Sequence, residues 1–204
     1  MKPCWIFCGA PSDKFNIFPP DNAYIIAADN GYSLLKRMNI QPDLLLGDFD
    51  SLHEDFPDNC KIIHLPAEKD DTDTMYAVRK ALSDGYTDIT IAASIGGRLD
   101  HTFANIQTLA YIINNGGQGK LLGEDDFVQL LNPGKYIFPK INNMYFSVFS
   151  YSQTSVITTL GTKYNLTNYT LTNNFPLGVS NEITDDNCIL NVYEGQILII
   201  FSKM

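Results

Sequence analysis

Hydrophobic positions in the amino-terminal part of the chain follow two alternating patterns. Short, almost continuous apolar runs, which are typical of buried strands, occupy residues 5–8, 24–28, 44–46, 61–65 and 89–93. Apolar residues with helical spacing lie between them, over residues 30–38, from Asp71 or Thr72 to Gly85, and over residues 100–114. This alternation predicts an α/β domain with a mostly parallel sheet that helices cover on both faces.

A different pattern follows the turn at Asn132–Gly134. Short strands are predicted at residues 144–151, 155–160, 164–171, 188–193 and 196–201, with turn residues between them and no evident helix. This rhythm is typical of an all-β sandwich or barrel. We therefore expect an α/β domain over residues 1–135 and a β-sandwich domain over residues 140–204, with the boundary within residues 132–142.

The charge of the chain argues against two classes of partner. Its 204 residues include 14 Lys and Arg against 23 Asp and Glu, for a net charge of -9, and no Lys/Arg run is present. Neither nucleic acid nor an anionic membrane surface is therefore an expected partner. The first apolar run is too short for a signal peptide, no stretch is long enough to span a bilayer, and four scattered cysteines suit reduced thiols. These features predict a cytoplasmic protein.

A pair of carboxylates follows the predicted strand at residues 44–46. Asp48 and Asp50 lie one residue apart in the segment Gly47–Ser51. Without a cation, two such charges about 4 Å apart repel by ~1 kcal/mol in water and by about 4 kcal/mol near a protein surface. The pair therefore suggests Mg²⁺, which prefers oxygen ligands and usually shares them with substrate phosphates. The alternative is a solvated turn in which Asp caps the next helix.

Three further acidic loops follow predicted strands, and ligands of parallel sheets bind beyond the carboxyl ends of the strands. These loops are Asp29–Gly31, Asp70–Asp73 and Gly96–His101. Together with the Asp48 and Asp50 pair they place seven of the 23 acidic residues on one predicted edge, namely Asp29, Asp48, Asp50, Asp70, Asp71, Asp73 and Asp100. This agreement of positions favours a metal site over a set of solvated turns.

Two of these loops suggest more specific roles. We interpret Asp73 as a metal ligand or substrate contact and Asp71 as the cap of the following helix, although helix capping and first-turn charge alone would explain one or two of these acids. The paired glycines before Arg98 would let backbone N–H groups approach an anion, while the guanidinium offers a fork for phosphate. The alternative is an ordinary turn with a surface arginine.

Several kinds of site are not indicated by the sequence. It contains neither a Walker A loop nor a Gly-x-Gly-x-x-Gly motif, so bound phosphates would be held by Mg²⁺, Arg98, Lys69 and backbone amides. No Cys or Ser lies in a nucleophile context with a His base, which disfavours covalent hydrolase chemistry. We assign no role to any of the three histidines, His53, His64 and His101.

Taken together, these segments resemble the thiamin pyrophosphokinase family over nearly the whole chain. Each segment is weak alone, but their order and spacing are specific. The matching segments are Asp29–Gly31, Pro42–Asp43, Gly47–Ser51, Lys69–Asp73, Gly96–His101, Gly161–Leu166 and Gly178–Glu182.

The resemblance implies a homodimer with active sites between subunits and Mg²⁺-dependent transfer of pyrophosphate from ATP to the hydroxyethyl group of thiamin, which releases AMP. It also implies roles for individual residues. The metal ligands would be Asp48, Asp50 and Asp73, and the catalytic residues Asp50, Asp73 and Asp100. Residues that bind ATP would be Asp29, Asn30, Lys69, Arg98 and Asp100, and residues that bind thiamin would be Ser180 and Asn181.

Two departures from the family pattern affect the expectations. Met75 stands where many members carry Glu. Some members have a Trp near the thiamin, but Trp5, the single tryptophan here, lies in the first predicted strand. An aromatic partner for the thiazolium ring of thiamin would therefore be Tyr or Phe. Two other functions remain open from the residues alone: a metal-dependent phosphohydrolase, which would more often use His ligands, and a binding module without catalytic activity.

Overall fold

The computed structural model divides into two compact units, Met1–Glu124 and Asp125–Met204. It describes residues 2–9, 14–50, 56, 59–66, 68 and 70–204. The division lies before the predicted boundary at residues 132–142. The reason is that the strand Asp126–Leu131, which the sequence pattern placed in the first domain, pairs antiparallel with Ile197–Lys203 inside the second unit.

A parallel sheet forms the centre of the first unit. Its strands are β1 (Cys4–Phe7), β2 (Tyr24–Ala28), β3 (Leu44–Gly47), β4 (Lys61–His64), β5 (Asp88–Ala92) and β6 (Gln118–Leu122). They lie in the order β4-β3-β2-β1-β5-β6, and each neighbouring pair is parallel. The carboxyl ends of the strands therefore meet at one edge, as the sequence pattern predicts.

Three helices connect these strands within the described part of the unit: α1 (Gly31–Arg37), α2 (Asp73–Ser83) and α3 (Leu99–Asn114). The inner face of α2 buries Ala77, Val78 and Ala81, which matches the predicted apolar spacing. Since α1 and α3 follow β2 and β5 after short loops, their first turns lie near the edge where those strands end. No helix of the described residues is long and apolar enough to cross a membrane.

The second unit consists of two antiparallel sheets. One contains β7 (Asp126–Leu131), β13 (Ile197–Lys203) and β9 (Met144–Ser150), in that order, and the other has the order β11-β10-β12-β8, with β11 (Tyr169–Thr172), β10 (Thr154–Leu160), β12 (Asn187–Glu194) and β8 (Gly134–Pro139). Side chains from both sheets form one core, for example Phe146 and Ile199 from the first and Ile157 and Leu190 from the second. The predicted fold class, an α/β domain followed by a β-sandwich, is therefore confirmed.

Two strand predictions in this unit differ from the structure. Strand β8 lies within the predicted linker, because Gly134 and Pro139 at its two ends are turn residues and leave only a short strand-like run between them. The predicted strand at residues 164–171 is reduced to β11. The residues before β11 form turns instead, in which the Asn165 carboxamide accepts hydrogen bonds from the Thr162 backbone N–H and hydroxyl, both at 3.0 Å.

Candidate active site at the strand ends of the first unit

Left-handed backbone conformations cluster where the strands of the first unit end. Asp29 after β2, Phe49 after β3 and Ala93 after β5 have φ values of 49°, 61° and 50°. A residue other than glycine in this region costs roughly 1–3 kcal/mol and persists only where its surroundings hold it in place. Three such residues at one sheet edge therefore suggest a functional site there.

A cavity of about 370 Å³ opens at this edge. This volume suits a small-molecule ligand. Its walls come from the loops after β1, β2, β3 and β5 and from the first turns of α2 and α3. The lining residues are Cys8, Gly9, Ala28, Asp29, Asn30, Asp48, Asp71, Thr72, Asp73, Thr74, Ala93, Ser94, Gly96, Arg98, His101 and Asn105.

Close backbone packing brings the first acidic loop to the cavity. The Asp29 N–H donates to the Leu46 carbonyl oxygen at 2.7 Å, and a Cβ on Gly47 would lie 3.0 Å from the Asp29 Cα. A Cβ on Gly31 would overlap the carbonyl oxygen of Phe7. Glycine is therefore needed at both positions, because the ends of β1, β2 and β3 leave no room for a side chain.

The two carboxylates after β3 reach the cavity differently. Asp48 lines it, whereas Asp50 is exposed and is not among the lining residues. The Asp50 backbone N–H donates to Asp48 Oδ1 at 3.2 Å. In this structure Asp50 therefore contacts the site with its backbone N–H, which holds the Asp48 carboxylate, and not with its own side chain.

The segment before α2 contributes Asp71, Thr72 and Asp73, but their roles differ from the prediction. Thr72, and not Asp71, caps the helix: its hydroxyl oxygen accepts from the Met75 N–H at 3.1 Å. Asp71, one residue too early to cap, instead forms an ion pair with Arg79 at 2.8 Å. Asp73 begins the helix, where the helix dipole favours a negative charge, and its Oδ1 atom is buried.

Arg98 lines the cavity from the loop before α3 and is held by Asp100. Its Nε and Nη2 atoms donate to the Asp100 carboxylate at 3.1 and 2.6 Å. These hydrogen bonds lower the pKa of Asp100 and raise that of Arg98. Asp100 itself is exposed and is not among the lining residues; its side chain contacts the guanidinium that does line the cavity.

The loop that carries Arg98 is fixed by polar contacts beneath it. Asn105, which is 7% exposed, donates from Nδ2 to the Ser94 carbonyl oxygen at 2.8 Å. The Ser94 hydroxyl donates to the Ile91 carbonyl oxygen at 2.8 Å, and the Gly96 N–H donates to the Thr102 hydroxyl oxygen at 3.3 Å. Arg98 is therefore presented by a loop that is anchored at both ends.

The cysteine in the cavity wall has the properties of a packing residue. Burial raises the pKa of Cys8 to about 12, although a hydrogen bond with Thr74 acts in the opposite direction; the Sγ and Oγ1 atoms are 3.2 Å apart. The thiolate, which is the nucleophilic form, is therefore negligible at neutral pH. Cys8 is thus not a nucleophile candidate in this cavity.

The structure brings together five of the residues expected to bind the metal or ATP: Asp29, Asn30, Asp48, Asp73 and Arg98 all line one cavity. Lys69 lies outside the described residues. Ser94 and Asn105 were missed. Ser94 follows β5 directly, so the strand-end rule could have found it, whereas Asn105 lies inside a helix and belongs to no motif.

The two residues expected to bind thiamin lie in the second unit. Ser180 has a left-handed backbone, with φ 55°, and an exposed side chain. The Asn181 carboxamide is engaged with the backbone of its own unit. Its oxygen accepts from the N–H groups of Tyr164 and Glu182 at 3.1 and 2.9 Å, and its nitrogen donates to the Tyr164 carbonyl oxygen at 2.9 Å. Asn181 thus shapes the segment that presents Ser180.

Within the part of the chain that the structure describes, no three Asp, Glu, His or Cys side chains are grouped closely enough to hold a metal ion by themselves. The cavity nevertheless has an oxygen-rich wall that includes Asp29, Asp48, Asp71 and Asp73. Mg²⁺ usually takes one or two carboxylates and completes its shell with water and substrate phosphates. The donor set of the cavity fits that kind of binding rather than a closed protein cage.

Comparison with known proteins gives two family matches that follow the two units. Residues 19–118 match the thiamin pyrophosphokinase catalytic domain. Residues 135–196 match the thiamin pyrophosphokinase vitamin B1 binding domain. These two matches together cover more than half of the chain.

Whole-chain relatives agree with these matches. Thiamine pyrophosphokinase of Bacillus subtilis is 30% identical over 215 residues, which cover 99% of each chain. The crystal structure of thiamine pyrophosphokinase from B. subtilis superposes with a TM-score of 0.89 at 28% identity over 99% of each chain. That of a thiamin pyrophosphokinase family protein from Enterococcus faecalis gives 0.84 at 30% identity over the whole of both chains. The chain therefore belongs to the thiamin pyrophosphokinase family, as its sequence motifs indicate.

Proposed function

We propose that this protein is a thiamine diphosphokinase that transfers pyrophosphate from ATP to the hydroxyethyl oxygen of thiamin and releases AMP. The observation that carries the proposal is the gathering of acidic side chains and Arg98 around one cavity at the carboxyl ends of a parallel sheet. Attack by an alcohol on a phosphoryl centre depends mainly on positioning and charge stabilisation. Such a wall offers both.

In this proposal Arg98 contacts the polyphosphate, because a guanidinium can donate two parallel hydrogen bonds to phosphate oxygens. Asp100 keeps the guanidinium oriented through its two hydrogen bonds. Asp29 and Asn30 would bind other parts of ATP, and Lys69 is proposed for the same substrate from the sequence motif alone. The oxygen of the thiamin hydroxyl forms the new bond to the β-phosphorus and loses its proton to solvent or to an Asp of the site, while the bond between that phosphorus and the oxygen of AMP breaks and AMP leaves.

The proposed cofactor is Mg²⁺, held by Asp48 and Asp73, with Asp50 as the third ligand that the motif suggests. Bound there with ATP, the ion would neutralise charge on the polyphosphate. The contribution of the chain is to keep these carboxylates at the cavity: the Asp50 N–H orients Asp48, and the first turn of α2 places Asp73.

Thiamin binding and dimer formation are proposed for the second unit. The family description of residues 135–196 as a vitamin B1 binding domain supports the first, with Ser180 and Asn181 as contacts. Exposed apolar side chains on the segment before Ser180 support a homodimer: Phe175 is 62% and Val179 55% exposed. Four free cysteines and the net charge of -9 support a cytoplasmic location without nucleic acid or membrane partners.

The decisive experiment incubates the protein with ATP, Mg²⁺ and thiamin and separates the products by chromatography. We expect AMP and thiamin diphosphate in equal amounts, and neither product after chelation of Mg²⁺. Formation of ADP with thiamin monophosphate would identify an ordinary kinase instead. Release of AMP that does not depend on thiamin would identify a phosphohydrolase, and the absence of any metal-dependent nucleotide binding would favour a binding module.

A further inference from the structure

We propose that Phe49 and His64 form an aromatic brace that holds the Asp48 carboxylate at the cavity. The brace consists of these two rings and the contact between them. Both residues would act by positioning Asp48 in the metal and nucleotide site. Its metal-binding consequence rests on the proposed function. Neither residue lines the cavity, so neither is expected to contact substrate.

The two rings are in direct contact. Their centroids lie 4.9 Å apart and their planes are nearly perpendicular, at 87°. Phe56 adds a third ring, with centroids 5.1 Å from that of Phe49 and 5.7 Å from that of His64. Perpendicular aromatic pairs at these distances are favourable beyond the apolar area that they bury. The Phe49 side chain is therefore held on the β4 side of its turn.

The backbone of His64 is fixed independently of this contact. His64 is the last residue of β4 and pairs in register with Gly47, the last residue of β3. The next residue, Leu65, donates its N–H to the Gly47 carbonyl oxygen at 2.8 Å. The His64 ring thus stands on a hydrogen-bonded strand, next to the start of the turn that carries Asp48.

Phe49 needs such support because its backbone is strained. It adopts φ 61° between the two carboxylates, a conformation that a bulky aromatic residue rarely takes. This conformation lets the Asp50 N–H reach Asp48 Oδ1 while Asp48 faces the cavity. If the rings lose contact, the turn can relax, and the carboxylate loses its fixed direction.

The test compares His64→Ala, which removes the contact, with His64→Phe, which keeps a ring at the same position. His64 is an exposed residue of the edge strand β4, so both variants are expected to fold. Tyr86→Leu is the matched control. It removes another ring pair, in which the Tyr86 and Tyr24 centroids lie 4.8 Å apart. Tyr24 is the first residue of β2, so this pair lies at the amino-terminal ends of the strands, away from the cavity.

Two measurements are made on each variant: binding of Mn²⁺ with α,β-methylene-ATP by electron paramagnetic resonance, and amide hydrogen exchange at residues 47–50. We expect His64→Ala to weaken Mn²⁺–nucleotide binding about two- to twelvefold, the range that loss of the Phe49–His64 pair implies, and to speed exchange in this segment. Both values should return towards those of the unmodified protein in His64→Phe and remain unchanged in Tyr86→Leu.

Unchanged binding and exchange in His64→Ala would overturn the brace while leaving the proposed function intact. The proposed function fails separately if the unmodified protein binds Mn²⁺ and the analogue but forms no AMP with thiamin. If the unmodified protein binds no nucleotide, the metal-binding consequence is overturned as well, and hydrogen exchange still decides whether the rings hold the turn.

Discussion

Asp48 and Asp50 are separated by one residue, yet only Asp48 lines the cavity. The motif treats them as equivalent ligands, whereas the structure connects Asp50 to the cavity by its backbone N–H. The Asp48 carboxylate already faces the cavity. The Asp50 side chain can take part only if a bound metal ion or substrate extends beyond the lining residues to reach it. Substitution by asparagine separates the two cases, because it removes the charge and leaves the backbone hydrogen bond in place.

We expect Asp48→Asn to lower the rate of AMP formation by about 10²-fold or more, since it removes a preorganised charge from the site. Asp50→Asn is expected to abolish turnover, as the sequence motif suggests, while the fold is retained. Both rates are measured by incubating the variant with ATP, Mg²⁺ and thiamin and quantifying AMP by chromatography, and circular dichroism is the control for folding. Full activity in Asp50→Asn would confine this residue to its backbone contact.

Buried thiols give a pH dependence that can be assigned to individual residues. Burial raises the pKa of both Cys4 and Cys8 from 9.0 to about 12. Between these values an unfolded chain has lost the thiol protons and the folded chain keeps them, so the free energy of unfolding decreases as the pH rises. The stabilisation is complete below pH 9.0 and declines by about 1.4 kcal/mol per pH unit for each thiol.

Urea unfolding at about pH 8 and about pH 10 measures this decline. Cys8→Ala is expected to reduce the dependence on pH, because one thiol no longer contributes, and Cys4→Ala to reduce it similarly. Cys60 is only partly buried and burial raises its pKa less, so Cys60→Ala is the comparison in which a smaller reduction is expected. An identical dependence in Cys8→Ala and in the unmodified protein would contradict the assignment.

At the level of elements, α2 shows how a helix end is tied to the site. Its cap, Thr72, and its first residue, Asp73, both line the cavity. Because the cap fixes the first turn, it also fixes the direction of the Asp73 carboxylate. Stability and ligand binding should therefore change together when the cap is lost.

Thr72→Ala removes the hydroxyl that accepts from the Met75 N–H and is expected to lower the free energy of unfolding by about 1 kcal/mol. Thr72→Ser keeps the oxygen and should retain most of that stability. Chemical denaturation measures both, and the ATP assay should show a higher KM for the alanine variant. Equal stability of the two variants would mean that the hydroxyl is not the stabilising group.

The elements of the first unit were largely predictable, because strand ends and loops can be read from hydrophobic spacing. Asp29, Asp48, Asp73 and Arg98 follow from a single rule, that loops after parallel strands share one edge. Asn105 does not, since its role comes from a contact with the backbone after β5. The helix cap was assigned to Asp71 because Asp and Thr are both good caps; the structure distinguishes them by the hydrogen bond from the Met75 N–H to Thr72 and by the ion pair of Asp71 with Arg79.

On the scale of the whole molecule, the division into two units was predictable, but the position of the boundary was not. The run at residues 127–131 resembles one more strand of the first sheet, and its long-range pairing with β13 places it in the second unit. Strand β8 was missed because turn residues, Asn132–Gly134 and Pro139, flank its short apolar run. Both differences concern partners distant in sequence, which local periodicity does not report.

The proposed homodimer gives a prediction at this scale. Light scattering is expected to give about twice the chain mass of 22.8 kDa. Val179→Asp should shift the protein towards the monomer, because it places a charge among exposed apolar side chains of the second unit. Phe18→Ser, at a 61% exposed position of the first unit, is the control. A monomer of the unmodified protein at every concentration would contradict the dimer.

The tight backbone packing at Gly31 and Gly47 has a consequence for redesign of the cavity. Each glycine is next to a lining residue, Asn30 or Asp48, and a Cβ at either position would meet the main chain at the end of a neighbouring strand, so substitution there would separate the strands. Changes of ligand preference must come from side chains on the walls, such as those of Asn105 and His101. The packing of the strand ends thus fixes where the lining residues stand, and the side chains of the loops determine what the cavity can bind.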